Sequence, residues 1–231
     1  MRRWIANLPG RVFLLLMLAG FGLIASASLE YFDFDTLPAF MLEKLPLRFE
    51  SLWLFSLRAH VASALLTFPL CIVLMTRFLQ RRPALHRVLG RITGIAILLV
   101  LVPSGAVLAL NAKGGALVSA GFLLSGAIVG GFMVRGVLAA RRRDLVTHRH
   151  AMRHVFAQMS VAVSSRVLMI LLDRFGMHPE LAYVIALWGP VVASALVVEL
   201  PTLHRVVVRL LAAPYRRPAL SRFEPLKGTP S

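Results

Sequence analysis

The chain has 231 residues, of which 58% are hydrophobic and only 16% charged, whereas roughly a quarter of a soluble domain is charged. A transmembrane helix needs about 20 apolar residues, so the bilayer takes up most of this chain and leaves no room for a soluble catalytic domain. Lysine and arginine total 26 against 10 acids, a formal charge of +16; because the basic residues stand between apolar runs they read as topology signals, which excludes nucleic acid as the expected partner.

The first apolar run covers 12–29, after Arg2, Arg3 and Arg11. Ala25-Ser26-Ala27 resembles a signal-peptidase site, but the length of the run and the membrane array behind it favour an uncleaved first helix. Residues 30–51 hold Glu30, Asp33, Asp35, Glu43 and Glu50 against Lys44 and Arg48, an acidic outside loop. A second span is expected over 52–76, kinked at Pro69, and a basic loop with five arginines between 77 and 91 follows it. The third span is placed at 88–111 and the fourth at 115–138, joined by the tight turn Asn111-Ala112-Lys113-Gly114-Gly115. Next comes the segment 141–154, read as an inside loop, in which three of the seven histidines stand among five arginines. The fifth span is placed at 151–173. The sixth, 181–200, reads as broken by Gly189-Pro190. From 201 the chain is basic and proline-rich, without sustained apolar periodicity, and is expected to be disordered beyond 214.

Of the 26 lysines and arginines, 20 fall on one side of this arrangement. The positive-inside rule then predicts an all-α polytopic membrane protein of about six helices, with both termini cytoplasmic. The expected division is 1–50 for the first helix and acidic loop, 51–175 for a four-helix core, 176–204 for the sixth helix and 205–231 for the tail. The membrane expected is the bacterial inner membrane. The lone Cys71 lies in an apolar run, so neither a disulfide framework nor a cysteine metal site is available.

Ionisable side chains inside spans are costly and mark function or specific pairing. Arg58, His60 and Arg166 are such residues, with Asp173 offered as the neutralising partner of Arg166. Ser56, His60, Ser63 and Thr67 share a helical face. On the third helix His86, Gly90 and Gly94 recur every four residues, the glycines permitting close helix approach. The fifth helix carries His148, Met152, Val155, Met159, Ala162 and Arg166 on one stripe and His150, His154, Gln158 and Ser165 on another.

Arg58-Ala59-His60, His86-Arg87-Val88-Leu89-Gly90-Arg91 and His148-Arg149-His150-Ala151-Met152-Arg153 ahead of Arg166 form an ordered set. It resembles the bacterial membrane proteins of domain-of-unknown-function family 2306 (DUF2306), over about residues 50–175. The resemblance implies a bulky residue such as tryptophan at position 151, where this chain has alanine, and brings no activity with it. More loosely, a four-helix membrane core with histidines near helix ends is similar to the b-type cytochrome and ferric-reductase transmembrane folds.

Three functions compete. In the first, b-type haem is the cofactor and the protein transfers electrons. His60, His86, His148, His150, His154, Arg58 and Arg166 are then the candidate cofactor-binding residues, and His86 and His148 the iron ligands, because neutral imidazole ligates haem and arginine pairs with propionates. His60 has no second intramembrane histidine at its own level. In the second, Arg58, His60 and Arg166 line an outer polar pocket of a transporter, channel or sensor. In the third, these residues are structural and the inner basic segment binds anionic lipids at the cytoplasmic face. No phosphate-binding glycine loop or serine nucleophile motif is present, and whether the protein is an enzyme stays open.

Overall fold

The computed structural model describes residues 8–33, 39–42, 47 and 49–212. Arg2 and Arg3, much of the acidic connection and the tail beyond 212 lie outside them. Among the described residues the protein is all-helical, with no strand. Six helices are long and apolar enough to cross a membrane: Leu14–Phe32, Glu50–Leu74, Pro83–Leu110, Gly115–Arg141, Leu145–Arg174 and Pro179–Leu200. A helix bonds its own backbone polar groups, which a bilayer requires. Only 11–33% of each apolar window is buried within the protein, so outward side chains such as Leu15, Leu99 and Leu110 have lipid as their medium. The described residues divide into two units after Val198. The second is helical over 199–212, and every candidate residue belongs to the first.

The helices are α1 (Leu8–Ser28), α2 (Ala39–Leu42), α3 (Glu50–Leu74), α4 (Arg77–Gln80), α5 (Pro83–Ala96), α6 (Val102–Leu110), α7 (Gly115–Arg141), α8 (Leu145–Met159), α9 (Val161–Arg174) and α10 (Pro179–Ala212). Phe68 and Ile72 of α3, Ile97 and Leu101 of the third span, Val129 and Met133 of α7 and Val155 of α8 form the main buried cluster. The core therefore draws on the second to fifth spans. The first span packs on it through Phe21, whose ring stacks on Phe68 at 4.8 Å. Trp53 and Leu57 cluster with Leu108, while Phe68 and Ile72 cluster with Ile97 and Leu101, so the second and third spans run antiparallel.

Three features differ from the sequence reading, each for a local reason. The third span begins at Pro83 rather than 88, because Pro83 sits at the helix start, where its missing N–H costs no hydrogen bond. The fifth begins at Leu145 rather than 151, so most of the segment read as a loop is helix. Asp144 is the cause: its carboxylate accepts the amides of Val146 at 3.2 Å and Thr147 at 3.0 Å, satisfying donors a helix start leaves bare. A hydrogen bond from the Thr147 hydroxyl, those amide bonds and the Arg135 guanidinium nearby hold the Asp144 carboxyl below its ordinary range. Gly189-Pro190 does not break the sixth helix, since α10 runs through it. Instead, irregularities fall where hydropathy gives no sign. A π turn spans Ile97–Leu101, with the Val102 amide donating to Ile97 five residues back, just ahead of Pro103, which has no N–H to donate. The fifth span is divided at Ser160, whose hydroxyl donates to the Phe156 carbonyl at 2.9 Å.

Candidate functional site

His86 stands on the first turn of α5, one turn past Pro83. Its Nδ1 is buried and has no hydrogen-bond partner. The ring lies close enough to His148 for the two to interact electrostatically. His148 is on the first turn of α8, and its Nδ1 is 2.9 Å from the carbonyl oxygen of Gly136 on α7. A carbonyl only accepts, so Nδ1 carries the proton and the lone pair is left on Nε2.

Gly136 makes this bond reachable. A Cβ at that position would overlap Met152 and stand 3.3 Å from the Ala151 Cβ, so α7 and α8 touch where glycine has no side chain. Ala151 is fully buried at this crossing. The bulky residue that the resemblance implied at 151 has no space here.

His150 and His154 form a second group. His154 is 2% exposed and stacks face to face on Phe132 at 3.8 Å with an interplanar angle of 8°. His150 meets it edge-on at 4.9 Å. Further along α8, Gln158 donates to the Val191 carbonyl at 3.0 Å and accepts from the Ser125 hydroxyl at 3.1 Å, tying the fourth, fifth and sixth spans together. Sequence periodicity put Gln158 on the stripe of His150 and His154, but Phe132 and the Gly136 carbonyl carried no signal beyond general apolarity.

The remaining candidates are held separately. His60 places Nδ1 3.0 Å from the Leu101 carbonyl, at the end of the π turn, and 3.4 Å from the Ser104 hydroxyl. A Cβ on Gly105 would come 3.0 Å from its Cε1, so His60 fills the seam between the second and third spans. Arg58 donates to the backbone carbonyls of Tyr31 at 2.9 Å and Asp33 at 3.2 Å, fastening the second span to the turn after the first. Arg166 is exposed and donates to Ala162 on its own helix at 2.9 Å. Among the described residues no hydrogen bond or ion pair joins it to Asp173. A shallow depression of about 550 Å³ includes Arg58, Ala59 and Phe32 in its wall but neither His60 nor Arg166.

The structure thus places His86 within electrostatic reach of His148, sets His150 against His154, and leaves Arg58, His60 and Arg166 with different neighbours. No curated protein and no solved structure matches the chain. A family model described as "Predicted membrane protein (DUF2306)" matches residues 57–202, which takes in all seven candidate residues and reaches past the four-helix core into the sixth span. With well over half its length matched and six helices able to span a bilayer, the chain belongs to the DUF2306 family of predicted membrane proteins.

Proposed function

We propose that this membrane protein binds b-type haem through His86 and His148 and serves electron transfer in the bacterial inner membrane, with both termini cytoplasmic. The observation that carries the reading is the buried Nδ1 of His86, which has no hydrogen-bond partner beside His148. A buried ring nitrogen without a partner is costly in a purely structural role.

The donor set suits the group. Two imidazoles on different helices lie within electrostatic reach of each other, and haem iron takes neutral imidazole. The Gly136 carbonyl holds His148 in one tautomer and orientation, as a carbonyl does for many metal-ligating histidines. One turn from His86, nothing lies within 4 Å of where a Cβ on Gly90 would stand, which leaves space beside the ring for a flat group. The exposed Arg87 and Arg149, each next in sequence to a ligand, suit propionates. Bound haem would supply one-electron chemistry; the chain's part is to ligate, orient and bury it. The topology rests on arginine placement, the exposed arginines of 77–91 and 135–153 clustering at the helix ends read as cytoplasmic.

An outer-pocket transporter or sensor has less support. Its three residues bond to Tyr31 and Asp33, to Leu101, and to Ala162 respectively, and do not converge. The test is a reduced-minus-oxidised absorption spectrum of detergent-purified protein expressed with ample haem. A Soret band that is lost in His86→Ala and in His148→Ala is expected; a wild-type sample with no Soret band overturns the reading.

A further inference from the structure

We infer that the end of the bundle carrying His86 and His148 is a binding surface for anionic phospholipid headgroups. Gly94 of α5 faces Met133 and Val137 of α7, and Gly136 of α7 faces Ala151 and Met152 of α8, which sets the connection before the third span at the same end of the bundle as the one before the fifth. Five arginines lie in 77–91 and six in 135–153, and all eleven are exposed. The same stretches hold a single acid, Asp144, whose carboxylate is taken up by the amides of Val146 and Thr147. Within these stretches arginine therefore outnumbers acid eleven to one, and the surface projects a strong positive field.

Apolar side chains interleave with the arginines. Phe78, Val88, Leu145 and Val146 are all more than half exposed. The Arg82 guanidinium sits 4.4 Å from the centroid of the exposed Phe78 ring, so a cation is held at the depth of a side chain suited to acyl carbon. A soluble polyanion would leave these apolar groups in water. A lipid leaflet takes both, its phosphates meeting guanidinium forks and its upper acyl region meeting the apolar groups. This inference stands on surface charge and exposure and is independent of haem binding.

The experiment uses full-length protein reconstituted in phosphatidylcholine vesicles containing a minority of phosphatidylglycerol. Spin-labelled phosphatidylglycerol and phosphatidylcholine are compared for association with the protein. The expected result is a severalfold preference for phosphatidylglycerol that weakens as salt is raised. One arginine near an anionic surface corresponds to about fivefold in affinity, so the variant Arg81→Gln/Arg82→Gln/Arg142→Gln/Arg143→Gln should lose most of the preference, while Lys113→Gln at the opposite end keeps it. Equal association of the two lipids with wild type, or an unchanged preference in a folded quadruple variant, overturns the proposal. So does displacement of the labelled lipid by inorganic phosphate, which would make this a site for free anions, or by a short oligonucleotide. Should the quadruple variant not fold, the wild-type salt dependence decides: a preference indifferent to salt refutes the role of charge.

Discussion

His148 donates its Nδ1 proton to the carbonyl oxygen of Gly136 across 2.9 Å, and this bond joins the ends of two neighbouring spans. A helix-interior carbonyl has a second lone pair to offer, but a side chain on another helix reaches it only where the helices nearly touch. Gly136 provides that crossing, with Ala151 and Met152 packed where its Cβ would be. One glycine therefore sets both the spacing of α7 and α8 and the tautomer of the imidazole.

Gly136→Val is accordingly expected to destabilise the protein by about 2 kcal/mol, within the usual range for overpacking. Thermal unfolding in detergent measures this, and the haem band should fall with it as His148 loses its carbonyl. If Gly136→Val proves as stable as wild type, the two helices do not meet so closely.

The two histidine groups should separate in mutagenesis. His86→Ala and His148→Ala are expected to abolish the Soret band with the helical circular dichroism intact. His154→Ala should leave the band and lower stability, with about 1 kcal/mol from the lost Phe132 stack alone and more from the space left behind. If His154→Ala removes the band while His86→Ala does not, the ligand assignment is wrong.

Gln158→Leu removes a donor from the buried Val191 carbonyl and an acceptor from Ser125. Leaving such groups unpaired costs about 1–3 kcal/mol. The predicted signature is a lower unfolding temperature with an unchanged spectrum, since Gln158 joins spans away from the His86–His148 pair. Wild-type stability in this variant would mean the bridge contributes nothing.

Asp144 offers a pH test. Its carboxyl is held below the ordinary range by the Thr147 hydroxyl first, then by the Thr147 and Val146 amides and by Arg135. Its contribution is thus fully present above the unfolded carboxyl value of about 3.9 and is lost as pH falls through the lower folded value. Hydrogen exchange at the Val146 and Thr147 amides is the measurement. Protection should persist at neutral pH and through mild acid, and Asp144→Ala should speed exchange at both amides while the carboxyl is ionised, the difference closing as acid protonates it. Equal exchange rates in the two proteins would remove the capping role.

Asp144 is a legible helix start set in a misleading context. An aspartate directly before Leu145-Val146-Thr147-His148 is a helix-start signal, yet the density of arginine and histidine makes 141–154 read as a loop by hydropathy. Gly189-Pro190 shows the converse. The pair reads as a break by propensity, but inside a membrane an apolar helix has no better way to satisfy its backbone than to continue. The π turn before Pro103 and the division at Ser160 depend on which carbonyl finds which donor, and hydropathy does not report that.

Taken alone, the sequence determined six spans, an all-helical class, family membership and the alternation of basic ends. These are one-dimensional quantities: apolar run length against bilayer thickness, and arginine spacing along the chain. Only the tertiary structure decided that His148 turns to Gly136 and stands near His86, that His154 lies against Phe132, and that Arg58, His60 and Arg166 have separate neighbours. Those outcomes depend on helix rotation and separation, set by where a glycine admits a neighbour and where methionine or phenylalanine fills the gap. Hydropathy counts such residues as equally apolar, so it places each histidine at a depth without saying what it faces.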